Sequence, residues 1–108
     1  MPQTHKVLGQ TAPAATTDTT LYTAPAATQT IVSTLAVCNR GVSTTYRIAV
    51  RPAGATLANQ HYIVFDAVVE ANNTTFLTLG ISLAATDIIT VQGGTANLSF
   101  SAFGVEIT

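Results

Sequence analysis

The sequence predicts an all-β domain: an antiparallel β-sandwich of about seven or eight strands, jelly-roll or immunoglobulin-like, with an extended N-terminal arm. Three observations predict it. Short β-branched runs alternate apolar and polar residues with a period of two. Gly, Asn and Pro interrupt those runs at regular spacing. No stretch of ten or more residues carries apolar positions at helical spacing, and the Ala-rich segments are flanked by Pro25 or Asp87.

The elements follow in order. His5 to Thr11 reads as an edge strand or an extended arm, and Thr20 to Thr23 as a short strand. Thr11-Ala12-Pro13-Ala14-Ala15-Thr16 recurs as Thr23-Ala24-Pro25-Ala26-Ala27-Thr28. Each copy is expected to be an extended connection into the next strand, because Pro cannot donate to a central ladder. Gln29 to Asn39 is a long strand with Ile31, Leu35 and Val37 on one parity, and Asn39-Arg40-Gly41 reads as a hairpin connection. In Thr44 to Arg51, Tyr46, Ile48 and Val50 are expected to face inward and Arg47 and Arg51 outward. Pro52-Ala53-Gly54 ends that strand.

Gln60 to Val69 is apolar on both faces, which predicts a strand that is central or covered by a partner. Asn72-Asn73 marks a turn, and Thr75 to Ile81 places Leu77, Leu79 and Ile81 on one face. Asp87 opens a strand in which Ile89 and Val91 alternate with Thr90 and Gln92, and Gly93-Gly94 reads as a hairpin turn. In Ala96 to Thr108, Leu98 and Phe100 share one parity while Phe103, Val105 and Ile107 share the other. This predicts a bulge or bend near Ala102. Residues 1–15 are expected as the arm and 16–108 as the sandwich. The Cys–Trp–Cys marks of true immunoglobulin domains are missing, since the chain has one Cys and no Trp.

Composition narrows the function. Of 108 residues, 47% are hydrophobic and 8% charged, against roughly a quarter charged in an ordinary soluble domain. Thr and Ala take up the difference. A surface poor in charge is covered by another protein at low desolvation cost, so composition points to an assembly. The net charge is −1, and Lys6, Arg40, Arg47 and Arg51 form no basic run. Nucleic acid is therefore not expected as a partner. No apolar run approaches a membrane span, and Met1 to Gln10 has no apolar leader core, so the expectation is synthesis in a cytoplasm without membrane association.

Residues able to carry chemistry are few and scattered. His5 and His61 lie far apart, and a zinc site wants three or four ligands. Cys38 sits in an apolar strand, where a thiol is more often a small core hydrophobe than a nucleophile. Asp66 and Glu70 close one strand, about 13 Å apart if it stays straight, which is wide for a carboxylate pair. A hydrolytic or metal site on His61, Asp66 and Glu70 would require those side chains to converge. The expectation is a protein that is not an enzyme, with no catalytic, cofactor-binding or metal residues.

A resemblance sharpens this. Lys6-Val7-Leu8-Gly9-Gln10-Thr11-Ala12-Pro13, Asp18-Thr19-Thr20-Leu21-Tyr22-Thr23 and Val37-Cys38-Asn39-Arg40-Gly41 carry it, with Tyr46-Arg47-Ile48-Ala49-Val50-Arg51-Pro52 and Leu83 to Val91. Together they resemble the small β-sandwich structural proteins of tailed-bacteriophage virions. The resemblance implies a head decoration (cement) protein or a neck- or tail-attached component, made in the bacterial host cytoplasm and carried in the virion. It implies a homo-oligomer, with a trimer as one form, and contacts with larger proteins such as the major capsid or tail proteins. Lys6, Val7, Leu8, Arg47 and Arg51 are the residues expected at an assembly interface. The alternative is a tail-fibre or receptor- or glycan-binding module, which would use exposed aromatics at the loop tips.

Overall fold

A computed structural model describes residues 2–78 and 80–108. Among the described residues, nine strands form two antiparallel sheets. They are β1 (Gln3–Thr11), β2 (Thr19–Thr23), β3 (Gln29–Asn39), β4 (Thr44–Arg51), β5 (Tyr62–Val69), β6 (Thr74–Leu77), β7 (Ile81–Leu83), β8 (Ile88–Gly93) and β9 (Leu98–Ile107). Sheet A runs β1-β9-β3-β6, with β7 beside β6 on the same edge of β3. Sheet B runs β2-β8-β4-β5. The expected all-β sandwich is present. His5 to Thr11, read as edge strand or arm, lies in the edge strand β1, which pairs with β9 from Gln3–Ile107 to Thr11–Phe100.

The pairing has one simple plan. Gln3 faces Ile107, Thr19 faces Val91, Thr30 faces Leu83, Thr44 faces Val69 and Ala49 faces Tyr62. Every pair is centred between Ala55 and Leu57. The chain is thus one long antiparallel ribbon, closed by the connection 52–61 and wrapped so that its segments alternate between sheets. This corrects two turn assignments. Asn39-Arg40-Gly41 and Gly93-Gly94 are not hairpins, because β3 and β9 lie in sheet A while β4 and β8 lie in sheet B. Both repeat copies make the same sheet-to-sheet passage: 11–16 links β1 to β2, and 23–28 links β2 to β3.

The core lies between the sheets. Val32, Leu35, Val37, Leu98, Phe100 and Ala102 from sheet A meet Leu21, Tyr22, Tyr46, Ile48, Ile89 and Val91 from sheet B. Tyr46 and Ile48 face inward as expected, and Tyr46 meets Phe100 edge-on at 6.4 Å. Asn39 closes one end. Its Nδ2 donates to the carbonyls of Val42, Val69 and Glu70, and its Oδ1 accepts from the Gly41 N–H. A side chain that bonds the chain on both sides of the β3–β4 passage can be buried at little cost.

Bulges account for the strand parities that differ from expectation. Leu8 in β1 and Ser33 in β3 are each an extra residue opposite the same stretch of β9, beside Phe103. In β3 the bulge turns Ile31 outward and puts Thr30 and Val32 inward, so Ile31 does not share a face with Leu35 and Val37. The strand β9 itself is unbroken. The bulge expected near Ala102 is at the right level but in both neighbours, and Phe103, Val105 and Ile107 stay on the outer face. Two glycines permit the close approach: a Cβ on Gly104 would collide with the Ile31 carbonyl oxygen, and one on Gly9 with that of Leu21.

In sheet B, β5 carries extra residues between Val64 and Ala67 and at Ile63, and Asp66 has φ 54°. This strand is an edge of sheet B and not central. Its inner side chains Val64, Ala67 and Val69 reach the core, while Ile63, Phe65 and Val68 are exposed. The run expected from Thr75 to Ile81 is two short strands, β6 and β7, interrupted at 78–80. Leu79 lies outside the described residues.

Candidate functional site

The two outer sheet faces differ in kind. On sheet A, register and burial put the following residues outward: Gln3, His5, Val7 and Gln10 on β1; Ser99, Ser101, Phe103, Val105 and Ile107 on β9; Gln29, Ile31, Thr34, Ala36 and Cys38 on β3; Thr74 and Phe76 on β6; and Ser82 on β7. None is Asp, Glu, Lys or Arg. Arg40 reaches the face at one end, from the β3–β4 passage, where its Nε donates to Ser99 Oγ at 3.0 Å. At the other end, His5, Val7, Ile31, Ser33, Phe103 and Val105, with Lys6 and Gly104, line a shallow hollow of about 570 Å³. Val7 is 48% exposed, Ile31 39% and Phe103 37%. The hollow lies beside the double bulge, where Val7 pairs with Phe103 and Ile31 with Val105 two residues further along β9.

Behind that face, between the sheets, lies a small polar cluster. The Tyr22 hydroxyl donates to Glu106 Oε2 at 2.6 Å, and Thr30 Oγ1 lies 2.8 Å from the Tyr22 oxygen. Tyr22 spends its one proton on Glu106, so Thr30 donates to Tyr22. Lys6 Nζ reaches Glu106 Oε1 at 3.2 Å and ties β1 to β9. Burial, and then the Glu106 hydrogen bond, push the Tyr22 phenol up to about 12. The Tyr22 hydrogen bond, and then Lys6, hold the Glu106 carboxyl below its usual range.

The outer face of sheet B carries charge. Arg47 Nε and Nη2 donate to the two oxygens of Asp66 at 2.7 and 3.2 Å. The Arg47 guanidinium also lies 4.0 Å from the centre of the Phe65 ring, and Tyr62 meets that ring edge-on. Hydrogen bonding to Arg47 holds the Asp66 carboxyl below its usual range. The positive φ of Asp66 at the bulge turns its carboxylate to Arg47 and leaves Phe65 beneath the guanidinium. Gln92 donates to Asp18 at the far side. The connection 52–61 folds back over part of this face: the 3₁₀ turn Pro52–Gly54 packs on β8, and the turn Asn59–His61 packs on β4. Ala49 and Thr90, outward by register, are buried there. Asp87 anchors this flap by accepting from the Ala53 and Ala84 N–H groups.

The residues expected at an interface fall on different surfaces. Val7 is on the outer face of sheet A. Lys6 is on the opposite side of β1, paired with Glu106, and Leu8 is the bulged residue, half-buried against the core. Arg47 and Arg51 belong to sheet B. The exposed aromatics Phe65 and Phe76 lie on strands, not at the loop tips. His61, Asp66 and Glu70 do not converge. His61 Nδ1 accepts from the Ala58 N–H, Asp66 is held by Arg47, and Glu70 lies exposed in the turn after β5. Among the described residues, no three His, Cys, Asp or Glu side chains stand close enough to share a metal ion. Sequence reasoning missed the feature most distinctive of the molecule, the uncharged face of sheet A. Its signal was present: between Gln29 and Asn39, and from Leu98 to Phe103, no residue is charged. Comparison with protein families, with characterised proteins and with solved structures finds no match to this chain.

Proposed function

We propose that this chain is a bacteriophage virion structural protein, a head decoration (cement) protein or a neck- or tail-attached component that stabilises contacts between larger subunits. The observation that carries the reading is the outer face of sheet A, a strand surface of three to four strands without a charged side chain and with Val7, Ile31, Phe76 and Phe103 exposed. Apolar area removed from water stabilises a contact by roughly 25 cal/mol per Å², and the outward strand positions of this face carry no charge to desolvate. Its partners under this reading are copies of itself and larger capsid or tail proteins, and its place is the virion.

The strand order supports the jelly-roll form of the sandwich. Consecutive strands in one sheet pair once, at β4–β5, whereas an immunoglobulin sheet pairs several consecutive strands. Jelly rolls recur in viral capsids, an analogy of fold that favours the reading without supplying a site. The test is to purify particles from cells carrying the gene and probe gradient fractions with an antibody to the chain. Co-migration with particles in stoichiometric amounts is the expected result. A chain found wholly in the soluble fractions would contradict it.

The alternative, a fibre or receptor- or glycan-binding module, is favoured by one feature, Phe65, 56% exposed beside Arg47 and Asp66. The face of that ring already carries the Arg47 guanidinium, which a sugar would have to displace.

A further inference from the structure

We infer that the outer face of sheet A is an isologous contact, and that its occupant is the same face of a second copy of this chain. The inference goes beyond the virion reading and does not need it.

Three features of the face fit a copy of itself. First, a two-fold contact sets each residue against the same patch, so any net charge would face its like. The outward positions of its strands present none; three charges stand at its margins, Arg40 at one end, Lys6 beside the hollow and Asp87 beside Ile31 and Ser82. Second, its polar groups are Ser and Thr hydroxyls, Gln amides and the His5 imidazole. Each is both donor and acceptor, so each can pair with its own kind across a dyad. Third, the area is adequate. The ten residues of β9, at about 3.4 Å each, and four strands about 4.8 Å apart give a face of roughly 600 Å² in projection. A corrugated face has more accessible area than its projection, which brings it to the ~800 Å² per partner of a standard interface.

The hollow supplies the packing detail. Phe103 projects beside a depression of about 570 Å³ lined by Val7, Ile31 and Val105. In a face-to-face pair, each copy's Phe103 lies against the other's hollow. The outer face of sheet B differs, since the Arg47–Asp66 pair stands over its β4–β5 side and the connection 52–61 occupies one end.

The test is sedimentation velocity of the full chain from about 1 to 100 μM, a range that brackets a micromolar dimer. Wild type is compared with Ile31→Lys and Phe103→Lys on this face, and with Phe65→Lys and Val68→Lys on sheet B. Thermal melts accompany each sample, and Ile31→Ser and Phe103→Ser replace any lysine variant that fails to melt cooperatively. The expected result is a wild-type dimer that the sheet A substitutions weaken at least tenfold and the sheet B substitutions leave unchanged. A wild-type monomer across the whole range overturns the inference. So does a dimer that persists in folded Ile31 and Phe103 variants, or one lost in Val68→Lys instead, which would move the contact to the β5 edge. A monomer that nevertheless co-migrates with particles would sink this inference and leave the virion reading standing. A dimer absent from particles would do the reverse.

Discussion

The two outer faces of the sandwich share one core and have opposite surfaces. Sheet B holds a bidentate Arg47–Asp66 pair, an arginine stacked on Phe65, and a flap of its own chain over Ala49 and Thr90. Sheet A holds hydroxyls, amides and apolar side chains, and among the described residues no segment like the 52–61 flap covers them. The lesson concerns where a charge-poor chain places its few charges. It has nine formal charges, and the strands of sheet A direct none of them outward. A face left so is cheap to cover, and a face with paired charges is suited to remain in water.

The largest effect that sharpens this comparison lies within one strand. Phe100 is fully buried on the inner side of β9, and Phe103, three residues on, is on the outer side. Phe100→Ala is expected to cost about 3–5 kcal/mol of folding stability, measured by urea denaturation. Phe103→Ser is expected to cost under about 1 kcal/mol at concentrations where the chain is monomeric. Comparable losses at both positions would mean that Phe103 is core and the outer face is misassigned. The same logic applies to β3, where Leu35→Ala should cost about 2–5 kcal/mol and Ile31→Ser far less, because the Ser33 bulge separates their faces.

The double bulge can be broken directly. Gly104→Ala drives a methyl group into the Ile31 carbonyl and is expected to cost about 1–3 kcal/mol. A neutral result would show that β3 and β9 have room to separate, and the hollow would not be fixed. Asn39→Leu, at the end of the core, leaves three carbonyls without their donor and is expected to cost a similar amount, about 1–3 kcal/mol.

The Tyr22–Glu106 cluster, which joins β2 of sheet B to β9 of sheet A, gives a pH signature at both extremes. Glu106 has its folded pKa lowered, so its contribution is present above the unfolded value of about 4.3 and lost as pH falls through the folded one. Tyr22 has its folded pKa raised to about 12, so its contribution is present below about 10 and lost as pH rises from there. Denaturation midpoints should therefore fall at both extremes. In Tyr22→Phe the alkaline fall attributable to this group should vanish, and in Glu106→Gln the acid fall should become shallower. Unchanged limbs in both variants would remove the cluster from the account. The smallest effect is expected from Arg47→Ala, whose pair with Asp66 is exposed. Its denaturation midpoint should match wild type, because surface pairs of this kind contribute little.

These particulars show how much the sequence makes legible. Tyr46 and Ile48 were legible because β4 alternates without interruption. Ile31 was not, because a single bulged residue inverts every parity beyond it and Ser33 carries no mark of being one. The turns at Asn39 to Gly41 and at Gly93-Gly94 were legible as turns. Whether a turn returns the chain to the same sheet or carries it to the other depends on tertiary packing, and local residues do not encode that. The two apolar sides of β5 were visible, but its edge position was not, since an edge strand with exposed Phe65 and Val68 has the composition of a central one. At the surface, Val7, expected at an assembly interface, lies exposed on the outer face of sheet A, and grouping it with Arg47 and Arg51 joined two opposite faces.

The most direct test of the central claim measures distance between copies. Cys38→Ser chains would carry one spin label, at Ser101 on sheet A or at Gln92 on sheet B, and inter-chain distances would be read by pulsed electron paramagnetic resonance. Sheets stack about 10 Å apart, so apposed sheet A faces place the Ser101 labels within about 20 Å of each other and the Gln92 labels about 30 Å apart or more. Short Gln92 distances with long Ser101 distances would contradict the account and put sheet B at the contact.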